Sequence, residues 1–411
     1  MGRRVSWERL PATVAALATV VALGSCAPKK QEVVFWQFWP TETLQPLVRE
    51  FERQNPGLTV RVEQLAWAGG ADRIAAAIDS GRVPDLCEVG STWLPRMLAT
   101  GQLVDWSAGI ADIRPRLRGW EMAMEGDAVY GVPWLLGTRA LFYNKMLLAR
   151  AHLDPAHPPE TWDELSEAAA AIEKLGNGVH GFGVQNGERG VLFKKFMPFA
   201  WGNGGHILSD DLTAAVFDSP ENRAALDYYK SLRTCGLVAN QDTLDREFKA
   251  GRLGFEISGA WLIKSIPRDA PALRYGVALV PRPALDRGTP ASFAGGEVLV
   301  GFRRSKRPEP ALRLARFLAE PAHSQALAEA LVSVQPAYRG ADTTAYYRTH
   351  PAEQTMIRQF ETAYFTPSHP AWAEMEAAIE DEVEQALLDR KTTAEAIADA
   401  QQRLAELVGK R

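Results

Sequence analysis

The chain has 411 residues, 46% of them hydrophobic and 23% charged, and a formal net charge of −4. That mixture is ordinary for a folded globular protein, so disorder is not the default, and the mildly acidic balance leaves no electrostatic footprint for nucleic acid. The length exceeds what one hydrophobic core usually serves, so two lobes are expected.

At the start, Arg3 and Arg4 lead into an apolar run from about Ala12 to Leu23, ending in Leu23-Gly24-Ser25-Cys26. A basic start, a short apolar stretch and small residues read as a secretory signal peptide over 1–25. The run, about 14 residues, falls short of the ~20 that span a bilayer. Cys26, directly after Leu, Gly and Ser, resembles the lipidated cysteine of a bacterial lipobox. A plain secretory signal with an incidental cysteine and an uncleaved anchor are the alternatives. Removing 1–25, which carry a net +2, leaves a chain near −6. No second apolar run is long enough to cross a membrane, so a lipid on Cys26 is the expected attachment.

From Glu32 to Trp39 the chain reads as a buried strand followed by a turn at Pro40. Leu44, Leu47, Val48 and Phe51 recur at helical spacing, and Asn55-Pro56-Gly57 stops that helix. Leu58, Val60 and Val62 alternate as a strand. Ile74 and Ile78 mark a second helix ended by Ser80-Gly81, and Asp85 to Val89 forms a third strand. This alternation implies a mainly parallel sheet covered by helices on both faces, with ligands beyond the carboxyl ends of the strands. A second unit begins after Tyr143-Asn144-Lys145. There, Thr161 with Glu164 predicts a capping box, and Asp218-Ser219-Pro220 opens another helix. Trp372, Met375, Ile379, Val383 and Ala386 line one face of a long helix, and a last helix runs from about Thr393 to Val408. The run Arg303-Arg304-Ser305-Lys306-Arg307 reads as a solvated turn before a helix. Cys87 and Cys235 have no CxxC or metal spacing and read as two buried thiols in different lobes.

Several segments, in order across nearly the whole chain after the signal, together resemble the family 1 extracellular solute-binding proteins of ABC importers. They are Phe35-Trp36-Gln37-Phe38-Trp39, Phe51-Glu52-Arg53-Gln54-Asn55-Pro56-Gly57, Pro84-Asp85-Leu86, Tyr130-Gly131-Val132-Pro133-Trp134 and Leu141-Phe142-Tyr143-Asn144-Lys145. The most distinctive is Pro158-Pro159-Glu160-Thr161-Trp162-Asp163-Glu164-Leu165. Gly259-Ala260-Trp261, Tyr275-Gly276-Val277-Ala278 and the stretch from Lys391 to Leu404 complete the set. The resemblance implies an α/β, two-lobed periplasmic-binding-protein fold joined by a multi-strand hinge. One lobe would hold 26–136 and 277–336, the other 137–276 and 337–411. Crossings would fall near Gly131 to Tyr143, Tyr275 to Pro281, and Pro336. It also implies a membrane-tethered receptor that closes on a carbohydrate and delivers it to ABC permease subunits. Such a receptor is expected to work as a monomer, with no cofactor, no resident metal and no nucleic-acid partner.

Sugars present hydroxyl rims and apolar CH faces, so a sugar site needs aromatic planes together with fixed donors and acceptors. The chain has twelve tryptophans, and many follow strand-like runs rather than sitting in periodic core patterns. The resemblance places the loop after the first strand in the cleft, making Trp36, Gln37 and Trp39 candidates, although alternation in a strand sends neighbours to opposite faces. Trp67 and Trp93 sit beyond the second and third strands. Trp261 matches a family aromatic that stacks on ligand. Trp201 precedes Gly202-Asn203-Gly204-Gly205, a turn that lets backbone approach a ligand. Arg139 lies in the hinge segment, suited to a carboxylate, a phosphate or several hydroxyls, with a structural salt bridge as its alternative role. Relatives often carry an acidic residue where Gly137 stands, which separates this chain from their sugar contacts. Glu297 follows Gly295-Gly296, where a carboxylate could accept two sugar hydroxyls; an interlobe pair with an arginine is its alternative.

Three other readings stay open. A glycerophosphodiester or another polar solute would suit Arg139. An exported carbohydrate-active enzyme would need a carboxylate pair that spacing cannot reveal, and the chain has no GxSxG, HExxH, CxxC or Walker A motif. Tyr228-Tyr229 and Tyr346-Tyr347 resemble the paired tyrosines of ferric-binding proteins, but neighbours on a helix do not share a face.

Overall fold

A computed structural model describes residues 1–2 and 30–409. The expected signal peptide, beyond its first two residues, and Cys26 lie outside the described residues. Among the described residues no helix is long and apolar enough to cross a membrane.

The first lobe begins with β1 (Gln31–Gln37), α1 (Thr41–Gln54), β2 (Leu58–Gln64), α2 (Gly70–Ser80) and β3 (Leu86–Gly90). The helix α1 buries the predicted stripe Leu44, Leu47, Val48 and Phe51. Gly81 ends α2 in a left-handed conformation, φ 69°, which favours glycine. Strand β1 pairs in parallel with both β2 and β3. The long strand β4 (Gly131–Thr138) stays in this sheet, whereas β5 (Ala140–Asn144), one residue later, starts the second.

The second lobe continues with α3 (Trp162–Glu173), β6 (His180–Gln185), α4 (Phe193–Gly202), α5 (Pro220–Ser231), β7 (Gly236–Ala239), α6 (Gln241–Lys249), β8 (Leu253–Ser258), α7 (Ala260–Asp269) and β9 (Tyr275–Ala278). Its five strands run in the order β9-β5-β8-β6-β7. The capping box on α3 is present, Thr161 accepting from the Glu164 N–H while Glu164 accepts from the Thr161 N–H. Ser219 caps α5, with Pro220 in its first turn.

Strand β10 (Ser292–Gly301) returns to the first sheet between β3 and β4, antiparallel to both. After α8 (Pro308–Leu318) and α9 (Pro321–Leu331), β11 (Gln335–Pro336) adds to the edge of β4. A short β12 (Ala363–Phe365) pairs in parallel with the start of β10. Helices α10 (Trp372–Leu387) and α11 (Thr393–Val408) pack into the second core, as their apolar stripes require.

The crossings differ from expectation in two places. Strand β9 pairs with β5 of the second sheet through Ala278, and Val280, Ala291 and Phe293 lie in the second core. The chain therefore changes lobe between Ala278 and Ser292 rather than at 276/277. Residues 337–411 are also not all in the second lobe, because β12 returns to the first sheet. Three residues, with only the central Tyr364 exposed, give too short a pattern to be read as a strand.

The remaining sequence readings resolve locally. Cys87 and Cys235 are free buried thiols, one in each core. Burial pushes both thiols up. Tyr228 stacks on Trp162 at 4.3 Å and donates its hydroxyl to the Trp162 carbonyl, while Tyr229 accepts the Gln185 N–H. Tyr346 and Tyr347 pack edge to face at 5.0 Å. Arg303 and Arg304 are exposed in the turn before α8, but Arg307 reaches back to the buried Asp85 at 3.4 Å.

Candidate ligand cleft between the lobes

The carboxyl ends of β1, β2 and β3 carry an aromatic cluster. Phe38 and Trp67 stack with centroids 4.3 Å apart, Trp93 lies 5.6 Å from Phe38 and 5.5 Å from Trp67, and Trp39 is 6.2 Å from Trp67. Trp67 is 41% exposed, unusual for so large an apolar ring. Gly70 makes the close approach possible: a Cβ there would sit 2.5 Å from Phe38 Cε1.

Beneath the cluster lie polar groups. Gln37 is fully buried; its Oε1 accepts the Trp39 N–H at 2.6 Å while its Nε2 has no protein partner. Glu88, also fully buried, accepts the Phe38 N–H at 2.8 Å. The pairing of Leu299 with Glu88 and of Glu297 with Gly90 puts both glutamates on one face of the sheet. Burial raises both carboxyls, and whichever ionises first holds the other up. Glu297 is pushed up to about 8, so it is largely protonated at neutral pH. Its Oε2 is buried without a protein partner. Trp36 lies on the opposite face of β1 from Gln37, beneath Arg73 of α2, whose guanidinium carbon is 4.8 Å from the ring centroid. Strand alternation thus sets Trp36 apart from Gln37.

The second lobe contributes the groups around Trp261 at the start of α7. Its indole N–H donates to Asp245 at 2.9 Å. The Arg139 guanidinium carbon is 4.6 Å from the Trp261 centroid and 5.5 Å from that of Phe293. Among the described residues Arg139 has no carboxylate within salt-bridge distance, so it stacks between aromatic faces in place of the expected ion-pair alternative. Glu297 likewise pairs with no arginine among them. Thr138 Oγ1 donates to the Phe293 carbonyl at 2.5 Å and Ser292 Oγ to the Arg139 carbonyl at 2.7 Å, tying the two crossing strands at the floor.

Trp201 does not join either wall. It lies in the last turn of α4 rather than in the following loop, is 4% exposed, and stacks on Tyr364 of β12 at 5.3 Å. The apolar run Phe196-Met197-Pro198-Phe199-Ala200 carries the helix on into the second core and takes Trp201 with it. The sequence reading missed Glu88, Lys194 and Lys195. A carboxylate inside the apolar strand Leu86-Cys87-Glu88-Val89 was the available signal for the first.

A cavity of about 270 Å³ opens between the lobes. The first lobe lines it with α2, with Thr92 and Trp93 after β3, and with the short helix Leu94–Leu98, including Arg96. The second lobe lines it with Pro370, Trp372 and Glu374 at the start of α10. Two half-sites on separate lobes, joined by crossing strands, can enclose a small molecule and desolvate it if the lobes close.

Residues 46–355 match the profile described as bacterial extracellular solute-binding protein. A putative binding protein of Brucella abortus is 31% identical over 283 residues, 66% of each chain, so the match spans about two thirds of that relative. The sn-glycerol-3-phosphate-binding periplasmic protein UgpB of Escherichia coli K12 is 25% identical over 382 residues, 84% of each chain. The cyclic α-maltosyl-1,6-maltose binding protein of Arthrobacter globiformis superposes with a TM-score of 0.84 at 26% identity, covering 93% of this chain and all of that one.

Proposed function

Because this chain belongs to the bacterial extracellular solute-binding protein family, we propose that it is a membrane-tethered receptor that captures a carbohydrate and passes it to an ABC permease. The cargo class is a mono- or oligosaccharide or a polyol. The observation that carries the reading is the aromatic cluster Trp39, Trp67 and Trp93 at the strand ends of the first lobe, of which Trp93 lines a cavity shared with the second. Such planes take the CH faces of a sugar ring. The buried Gln37, Glu88 and Glu297 supply hydrogen-bonding atoms for its hydroxyls, and each unmatched buried partner costs about 1–3 kcal/mol, which is how such a site discriminates. Closure would present the permease with a surface that the open form lacks. The name of the Arthrobacter protein supports a sugar cargo. The tether rests on Leu23-Gly24-Ser25-Cys26 alone. The role is binding rather than catalysis, in keeping with the family.

A thermal-shift panel of sugars and polyols tests this. A ligand at a hundredfold excess over its Kd adds about 2.7 kcal/mol to stability. One carbohydrate class should raise Tm, and Trp67→Ala should remove that rise. A panel in which no carbohydrate moves Tm would refute the carbohydrate reading.

A further inference from the structure

The second lobe and its crossing strand hold three buried or half-buried cations that sequence periodicity hides. Helix α4 begins after β6, and α7 begins directly after β8 with Gly259 as an N-cap that offers no side chain. Lys194 and Lys195 sit in the first turn of α4. Arg139 stands at the switch from β4 to β5, beside the carboxyl end of β8, because Ala140 pairs with Ser258. Two aromatic rings link the three. Lys194 Nζ is 5.3 Å from the Phe293 centroid, Arg139 lies over both Phe293 and Trp261, and Lys195 Nζ is 5.4 Å from the Trp261 centroid.

These charges are poorly compensated. Lys195 is 2% exposed and donates to the Ile257 carbonyl. Arg139 Nε is buried without a protein partner. Among the described residues none of the three has a carboxylate within 4.0 Å, the salt-bridge limit. The acids that face them are engaged elsewhere. Asp245 accepts from Trp261, Gln241 and Ser258, Glu188 from Gln185 and the Gln241 N–H, and Glu380 from the N–H groups of Gly190 and Phe193. Glu256 is fully buried and, like Glu376, has its carboxyl raised by burial. Burial lowers all three cations, Arg139 to about 10 and Lys195 to about 7. A buried cation without a partner is costly, so such an arrangement persists where something else supplies the counter-charge.

We propose that Arg139, Lys194 and Lys195 form a subsite for one anionic group, a carboxylate or a phosphate, carried by the captured solute. The inference rests on the solute-capture reading and narrows it to an acidic or phosphorylated sugar or polyol. The guanidinium offers a planar fork and the two ammonium groups act as point charges beside it. The uncapped N-terminus of α7 adds its partial positive charge. On the first lobe's wall, Glu297 is largely protonated at neutral pH, which limits repulsion of an anion. The anion would also draw a proton onto Lys195, so binding at slightly alkaline pH takes up protons.

Calorimetry on the purified chain with matched pairs tests the subsite. The pairs are glucuronate with glucose, galacturonate with galactose, and glycerol 3-phosphate with glycerol. The acidic member of at least one pair should bind about 30-fold more tightly than its neutral partner. Its heat should depend on buffer ionisation, as proton uptake requires. Arg139→Gln and Lys194→Gln, each checked for folding by its ligand-free melt, should each reduce that preference about tenfold. Which acid binds separates carboxylate from phosphate. Neutral sugars that bind as tightly as their acids, or variants that keep the full preference, would overturn the subsite while leaving solute capture standing. No binding by any member of any pair would count against both.

Discussion

Replacing Lys195 with methionine probes the energetic core of the second wall. The amine is 2% exposed, and burial is the largest cause that lowers it, from the ordinary 10.5 to about 7; the charge of Arg139 adds to this, and Glu256, Asp245 and Glu188 oppose it. The folded protein therefore disfavours the charged amine while the unfolded chain keeps it. At pH below about 7 the full cost is present, and it fades as pH rises toward 10.5, where the unfolded chain also loses the proton. A proton displaced across that range is worth about 4–5 kcal/mol at roughly 1.4 kcal/mol per pH unit, an upper limit that relaxation around the charge reduces. Lys195→Met keeps most of the volume and removes the charge. Urea denaturation of the ligand-free chain at about pH 6 should show the variant more stable by about 2–5 kcal/mol. The gap should shrink as pH rises, and near pH 10 the variant should be slightly less stable, by about 1 kcal/mol, for want of the bond to the Ile257 carbonyl. The same variant should bind an acidic solute less tightly, a trade of function for stability. A gap that is constant with pH, or a variant less stable at about pH 6, would refute the argument.

Glu297→Gln should act with the opposite sign. With its carboxyl pushed up to about 8, the native protein loses stability as pH rises from 4.5 through about 8. The variant should melt at a higher temperature than the parent at about pH 9 and at nearly the same temperature at about pH 4. Thr161→Ala removes the capping box of α3 and should cost about 1 kcal/mol in denaturation, with faster amide exchange at Glu164. Cys87 and Cys235 should resist a disulfide reagent in the native state and react together on unfolding, as their burial and raised thiols require.

The parts of the fold visible in the sequence are those where one local pattern decides. The stripe of α1, the capping box of α3, the Ser219-Pro220 start of α5 and the apolar faces of α10 and α11 all follow from periodicity and cap chemistry. The lobe crossing near Ser292 was hidden, because Val280, Ala291 and Phe293 are apolar whichever core they enter and only tertiary packing chooses. Trp67 and Trp93 were legible as strand-end aromatics, and they do meet. Trp201 misled because a glycine-rich turn follows it, yet its neighbours hold it in helix. Glu88 and Lys195 were missed for one physical reason. A charged residue is ordinarily solvated, and although an apolar strand around Glu88 hinted at burial, only packing and strand pairing show that both groups are buried.

Capture between closing lobes requires that one solute touch both lobes at once. The crystallographic position of a bound solute from the calorimetric panel tests it most directly. A single molecule should touch Trp67 or Trp93 on one side and Arg139 or Trp261 on the other. A solute bound to one lobe alone, or outside the cleft, would contradict it.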